Sequence, residues 1–99
     1  MSTVTIKMSD KFGTFLSNGA VANEFSSKEV LPVITTGGTI VIDMSNVENM
    51  TDSFGNALIA NLVANYSTEF FNNVKFANCS DTMKTLVMLA IKFGKNLQS

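Results

Sequence analysis

Short apolar runs separated by polar turns divide this chain into segments with different periods. From Val4 to Met8 apolar and polar residues alternate, which is typical of a strand with one buried face, and we expect this strand at a sheet edge. The residues Thr14 to Leu16, between the pairs Phe12-Gly13 and Asn18-Gly19, form a second short strand or an ordered loop. The β-branched run from Thr39 to Met44 predicts a central strand that is apolar on both faces.

Helical spacing occupies the segments between these strands. Apolar residues from Ala20 to about Ile34 favour an irregular helix. The capping-box sequence that starts at Ser26 favours a break or restart near that residue, and Pro32 favours a kink or an early end. A second helix is expected to begin at Thr51 to Ser53, which are good N-cap residues. Its apolar stripe recurs every four residues, at Phe54, Leu58, Leu62 and Tyr66.

The C-terminal part of the chain predicts one more strand and one more helix. Asn72-Asn73 marks a turn, and a strand follows from Val74 to Ala77. Ser80 or Asp81 caps the last helix, which we expect to stop at Gly94. This order of elements predicts an α/β fold: a small layer of about four mixed strands with helices packed against the sheet. The middle strand–helix–strand unit should be a right-handed crossover between parallel strands.

Composition restricts the classes of function. Ninety-nine residues, 45% of them hydrophobic, are enough for a single domain over residues 1–99. A net charge of −1 gives no electrostatic reason to expect binding to nucleic acid or to an anionic membrane. The chain has no histidine, and Cys79 is its only cysteine. We therefore expect neither an enzyme nor a cofactor or metal site, since the usual base and ligand residues are missing.

The chain shows no sequence signal for export or membrane insertion. Its first residues lack the basic region and long apolar core of a signal peptide. The longest apolar run, from Leu86 to Ile91, is far shorter than the roughly 20 residues that cross a bilayer. We therefore expect a cytoplasmic protein without membrane contact. The same run predicts either a helix wedged between the sheet and its neighbours or a patch for self-association or a partner protein.

The strand that ends at Asp43 and the helix that starts near Thr51 carry the strongest functional signal. In open α/β sheets, sites are usually built at the carboxyl ends of strands, and helix starts favour anions. Thr51 to Ser53 are interpreted either as ordinary caps or as a phosphoserine or anion site. Asp43 either accepts backbone N–H bonds from the following loop, or it joins Glu48 or Asp52 in a magnesium or catalytic site.

Three short motifs resemble a known family. Ile-Asp-Met-Ser-Asn-Val from Ile42 to Val47 is followed by Met-Thr-Asp-Ser-Phe from Met50 to Phe54, and later by Val-Lys-Phe-Ala-Asn-Cys-Ser from Val74 to Ser80. Their order and spacing resemble the STAS domain of sulfate transporters and anti-sigma factor antagonists. The short STAS-like domains of bacteria and phages are more similar still. The resemblance runs from about Val4 to Phe93.

This resemblance implies a regulatory role. In anti-sigma factor antagonists a partner kinase phosphorylates a serine at the corresponding helix start, and that position is Ser53 here. Thr51 and Asp52 stand where the family usually has Asp-Ser, and Phe54 replaces the family glycine. The arginine that is common near the start of the first helix in relatives is absent from residues 18–21.

We therefore expect a non-enzymatic protein-interaction module, switched by phosphorylation of Ser53, whose partner is a kinase-like ATPase or another regulator. A small-anion or nucleotide sensor that uses the same helix start is an alternative. A homodimeric structural accessory protein that uses the last helix is another. The loop from Ser45 to Asn49 would adjoin the contact surface. The predicted partner or anion contacts are Asp43, Thr51, Asp52, Ser53, Phe54 and Asn56.

Overall fold

The helices of this protein pack against a sheet of three parallel strands. The computed structural model describes residues 2–97. Seven α-helices, five strands and two π-helical turns make up this part of the chain. In chain order they are β1 (Thr3–Lys7), α1 (Met8–Phe12), β2 (Phe15–Leu16), α2 (Gly19–Phe25), π1 (Ser26–Val30), α3 (Leu31–Ile34), β3 (Thr39–Asp43), β4 (Asn49–Met50), α4 (Asp52–Gly55), π2 (Asn56–Ala60), α5 (Asn61–Asn65), α6 (Ser67–Asn73), β5 (Val74–Ala77) and α7 (Asp81–Leu97).

The main sheet has the order β1-β3-β5, and both pairs of strands are parallel. The predicted α/β fold with helices on the sheet is confirmed, as are the edge position of β1 and the central position of β3. The sheet differs from four mixed strands, because β2 and β4 form a separate parallel pair. These two-residue strands connect the segment before α2 to the segment before α4.

Only one face of β3 is fully buried. Ile40 and Ile42 of β3 are inaccessible to solvent, and their register partners on β1 and β5 are apolar. Thr39, Val41 and Asp43 on the opposite face are only half-buried. The strand predicted to be apolar on both faces is therefore buried unequally, because alternate side chains of a strand point to opposite faces and one face is covered more completely.

Residues 19–34 form one continuous helix with a π-helical turn in its middle. The N–H of Leu31 donates to the carbonyl oxygen of Ser26, five residues earlier. In an ordinary α-helix the ring of Pro32 would clash with the preceding turn. The π-helical turn is wider and avoids this clash, so the helix continues past Pro32. Ser26 is buried at the first residue of this turn. The predicted break near Ser26 corresponds to the change from α-helical to π-helical geometry, and the helix continues through it without a restart.

Residues 52–65 form the second long helix, which also contains a π-helical turn. The predicted start is confirmed, since Thr51 is the N-cap and α4 begins at Asp52. Tyr66 leaves helical geometry, with φ −136° and ψ 49°, and α6 starts directly after it. Asn72 and Asn73 are the last residues of α6, so the predicted turn at this pair was wrong. Most residues of α6 are polar, so its sequence shows no apolar periodicity that would predict a helix.

The last helix continues past its predicted end. The hydroxyl of Ser80 accepts a hydrogen bond from the N–H of Met83 at 3.2 Å, which confirms a cap at this point. Gly94 is buried within α7 and does not stop it. A Cβ at Gly94 would lie 2.7 Å from the carbonyl oxygen of Ala60 and 2.7 Å from Cβ of Val63. The glycine therefore permits close helix packing instead of forming a C-cap.

The core is a continuous cluster that links the sheet to all the long helices. Phe12 of α1 joins two of them, because its ring meets those of Phe25 and Phe54 edge-on at 5.4 Å and 5.6 Å between centroids. Such aromatic pairs stabilise a core beyond simple burial. The largest fully buried side chains include Met8, Leu16, Ile40, Met44, Leu58, Ile59, Leu62 and Met83.

Replacement of Gly94 by alanine tests this close packing. We expect Gly94→Ala to lower the free energy of unfolding by about 1–3 kcal/mol, because the added methyl group meets backbone atoms that cannot rotate away. Without the clash, alanine would instead stabilise a helix interior by about 0.5–1 kcal/mol. Urea denaturation gives the sign. Lys92→Ala on the exposed side of α7 is the control and should stay within about 0.5 kcal/mol of wild type. A stabilised Gly94→Ala variant would contradict the packing.

Candidate functional site

Thr51 joins the start of α4 to the segment before α2. Its side-chain oxygen accepts a hydrogen bond from the N–H of Phe54 at 3.2 Å and donates to the carbonyl oxygen of Ser17 at 3.2 Å. Its backbone N–H donates to the carbonyl oxygen of Leu16 at 2.8 Å. Thr51 is thus both the predicted cap and a long-range tie, which a sequence pattern alone does not reveal.

Two helix starts meet at Ser53. Asn18 caps α2, since its side-chain oxygen accepts hydrogen bonds from Ala20 N at 2.9 Å and Val21 N at 3.2 Å. A Cβ on Gly19 would collide with the hydroxyl oxygen of Ser53 and lie 3.1 Å from its carbonyl oxygen. Ser53 is nevertheless exposed to solvent. Its hydroxyl therefore stands at the surface beside the positive ends of two helix dipoles.

The predicted contact residues after Ser53 do not share one environment. Asp52 is exposed and Asn56 is half-buried, so both face the surface. Phe54 is 1% exposed and packs edge-on against Phe12. A partner cannot reach its side chain, and the expected contact through Phe54 is corrected to a core role. The physical reason is the helical period, which turns Phe54 inward when Ser53 faces outward.

A groove runs between the start of α4 and α7, with a volume of about 320 Å³. Leu89 is 57% exposed and Phe93 46% exposed, so this wall of the groove presents apolar surface to solvent. The helix start thus adjoins an apolar surface that sequence reasoning had treated separately. The lining residues are Met50, Thr51, Asp52, Gly55, Asn56, Leu86, Leu89, Ala90 and Phe93.

Asp43 belongs to a separate polar cluster at the carboxyl ends of β3 and β5. Its Oδ1 accepts hydrogen bonds from Ser45 N at 2.9 Å and Asn78 Nδ2 at 3.0 Å. The predicted role as acceptor for the following loop is thereby confirmed. The bond from Asn78, then those from Ser45, and a smaller contribution from Lys7 hold the pKa of Asp43 below its ordinary value. These bonds orient Asp43 towards β5 instead of towards α4.

The remaining acidic and thiol groups show no metal centre. Within residues 2–97, no three carboxylate or cysteine side chains converge as a metal ion would require. Burial raises the pKa of Cys79 above its ordinary value, although the charge of Lys84 acts in the opposite direction. A protonated thiol is a weak nucleophile.

Every helix in the described part of the chain is too short or too polar to cross a membrane.

Sequence reasoning missed Gly19 and Asn78 as site residues. The Asn18-Gly19 pair was used only as the boundary of the segment Thr14 to Leu16, although an N-cap followed by a residue without a Cβ has the same sequence signature. Asn78 has a left-handed backbone with φ 58°. Asparagine directly after a predicted strand is the one signal that pointed to this conformation. Neither signal predicts the distant contact, which is with Ser53 for Gly19 and with Asp43 for Asn78.

These features define a small α/β domain in which a parallel sheet supports a buried helix whose start reaches the surface. A family model described as a STAS-like domain of unknown function (DUF4325) matches residues 27–84, which is more than half of the chain. This chain belongs to that family, and the STAS-like resemblance is confirmed over this range. The match spans β3 to β5 and the first turn of α7. No curated protein and no solved structure matches the chain significantly.

Two replacements of Thr51 distinguish the contribution of its hydroxyl to stability from that of its methyl group. We expect Thr51→Ala to lower the free energy of unfolding by about 1–2 kcal/mol, because Phe54 N loses its cap and Ser17 loses a donor. Thr51→Ser keeps the hydroxyl and should lie within a few tenths of a kcal/mol of wild type, roughly as N-cap preferences predict. Urea denaturation measures both. Equal losses in the two variants would show that the methyl group matters instead.

The hydrogen bond from Asn78 to Asp43 has a measurable effect on acidity. We expect Asn78→Gly to raise the pKa of Asp43 towards its ordinary value, since glycine keeps the positive φ but removes the donor. NMR titration of the Asp43 carboxyl carbon measures this change. Asn46→Gly is the matched control, because Asn46 also has a positive φ of 63°. An unchanged pKa of Asp43 in Asn78→Gly would refute the assignment.

The same bond makes stability depend on pH. The pKa of Asp43 is lower in the folded than in the unfolded protein, so this carboxylate stabilises the fold above its unfolded pKa of about 3.9. That contribution is lost as the pH falls through the lower, folded pKa. The difference in stability between wild type and Asn78→Gly should therefore shrink on acidification.

Proposed function

We propose that this protein is a non-enzymatic regulatory module that binds a partner protein at the start of α4. The observation that supports this most directly is the continuity between the helix start and the exposed apolar side chains of α7 around one groove. Exposed polar groups beside a concave apolar surface are the usual composition of a protein-binding site. Asp52 and Asn56 would supply hydrogen bonds, and Leu89 and Phe93 would supply buried area.

A phosphate on Ser53 would act as the switch in this proposal. Ser53 is an exposed residue, and its hydroxyl lies next to two helix N-termini, where the added negative charge is stabilised. The phosphate would also stand beside Asp52 and close to the crowded contact with Gly19. It would therefore change both the charge and the shape of the groove edge. The proposed partner is a kinase-like ATPase or another regulator, as the family resemblance implies.

The side chains near the groove also favour binding over catalysis. The chain has no histidine to act as a base near neutral pH. Asp43 is engaged by Ser45 and Asn78, and the raised pKa of Cys79 keeps its thiol protonated. At the groove, the hydroxyl of Thr51 is engaged by the carbonyl oxygen of Ser17 and the N–H of Phe54, neither of which is a base that would activate it as a nucleophile.

The experiment is recovery of partner proteins from host lysate on immobilised protein, quantified by mass spectrometry. We expect the double variant Asp52→Ala/Ser53→Ala to recover severalfold less of the partner than wild type. Ser53→Asp should lower recovery more than Ser53→Asn, because the two side chains have similar size and only the first adds charge beside Asp52.

Control variants keep this test specific. Asp10→Ala on α1 and Ser27→Ala in π1 remove the same functional groups from exposed positions elsewhere, and should leave recovery unchanged. Circular dichroism would establish that every variant is folded. Unchanged recovery with the double variant would argue against this surface, and equal recovery with Ser53→Asp and Ser53→Asn would argue against the charge switch.

A further inference from the structure

The net charge of α7 is positive, whereas the net charge of the rest of the chain is negative. Residues 82–97 contain three of the seven lysines and no carboxylate side chain. All eight acidic residues lie at or before Asp81. A basic helix is therefore attached to an otherwise acidic protein, and such segregation indicates a surface that faces a negatively charged partner.

Three lysines surround exposed apolar side chains on α7. We define the outward face of α7 by Lys84, Met88, Leu89, Lys92 and Lys95. Met88 is 63% exposed and Leu89 57% exposed, the two highest values for large apolar residues in 2–97, and the two are adjacent. Lys92 follows Met88 by four residues and Leu89 by three, so it stands beside both on the helix surface. A shallow depression of about 520 Å³ covers this region, lined by Lys84, Thr85, Met88, Leu89, Ile91, Lys92 and Lys95.

The fold itself explains only part of this pattern. Lys95 lies over the ring of Phe71, with its Nζ 5.3 Å from the ring centroid, and it also suits the negative end of the helix dipole. Lys84 is in the first turn, where the dipole disfavours a cation. Lys92 forms no ion pair with any residue from 2 to 97. Met88 and Leu89 are outside the core cluster. The four side chains that the fold does not explain, Lys84, Lys92, Met88 and Leu89, are therefore available to a partner.

We propose that the outward face of α7 binds an amphipathic helix of a partner protein that carries carboxylate side chains beside its apolar stripe. A second copy packed through the same face would bring the lysines of two like-charged faces together, because this face carries three lysines and no carboxylate, at a cost of like-charge repulsion. A bilayer would have to bury Met88 and Leu89 on either side of a cation, whereas membrane helices place cations at the edges of the apolar face. An acidic helix satisfies the apolar and the cationic groups together.

This inference goes beyond the proposed function, whose contact surface is the start of α4. Leu89 borders both surfaces, so one partner is able to span them. The two proposals fail separately. Variants of Asp52 and Ser53 test the groove, and variants of Lys92 and Met88 test the outward face.

The test uses two synthetic fluorescent helical peptides with the same leucine stripe. One carries glutamates beside the stripe and the other lysines. We expect the glutamate peptide to bind at least about tenfold more tightly in fluorescence anisotropy, because its carboxylates pair with Lys84 and Lys92 whereas the lysine peptide is repelled by them. Lys92→Glu should weaken this binding about tenfold, since the reversal removes an attraction and adds a repulsion. Met88→Ser should weaken it severalfold through lost apolar contact.

Lys75→Glu on β5 is the matched control, because it makes the same charge change at another exposed position. It should leave binding of the glutamate peptide within about twofold, as expected for a charge outside the contact surface. Equal affinity for the two peptides, no binding of either, or no effect of Lys92→Glu would overturn the proposal. Binding to phosphatidylglycerol vesicles without binding to the glutamate peptide would overturn it in favour of a membrane surface. A dimer in sedimentation that Leu89→Asp dissociates would assign the face to a second copy instead.

Discussion

Burial of the helix formed by residues 52–65 is the constraint on which the other elements depend. Its π-helical turn packs against both α2 and α7, and α5 continues the contact with α7. Phe54, Leu58 and Leu62 are almost inaccessible to solvent. Because Gly94 has no side chain, α7 approaches the backbone at Ala60 closely. A helix covered on several sides must satisfy its polar ends locally, and Thr51 does this at the start.

This burial also decides what the helix shows to solvent. The first turn is exposed between the segment that precedes α2 and the side of α7, so Asp52 and Ser53 face solvent while Phe54 lies in the core. The polar cluster around Asp43 forms a different edge of the molecule, at the ends of β3 and β5. The family match covers both regions, but it ends in the first turn of α7. Most of the outward face of α7 therefore lies outside the matched range.

Much of the fold was predictable where a local pattern coincided with a tertiary role. The alternation of β1, the β-branched run of β3 and the cap at Thr51 are such cases, because burial and hydrogen bonding follow their periods directly. Prediction failed where tertiary packing overrode a local signal. Gly94 has the sequence of a helix stop but meets a neighbouring helix, and Pro32 is accommodated by a wider helical turn. The short elements α1, β4 and α6 lacked a repeating pattern long enough to identify them.

The sequence by itself determined the class of fold, the position of each main strand, and the hydroxyl and carboxylate groups at the start of α4. These properties follow from the local preferences of the backbone and from the period of apolar residues. Only the tertiary structure decided which of those groups meet. It placed Gly19 against Ser53, Asn78 on Asp43 and the apolar side of α7 beside Asp52. Contacts between residues distant in the chain depend on how whole elements pack, and no local period encodes that arrangement.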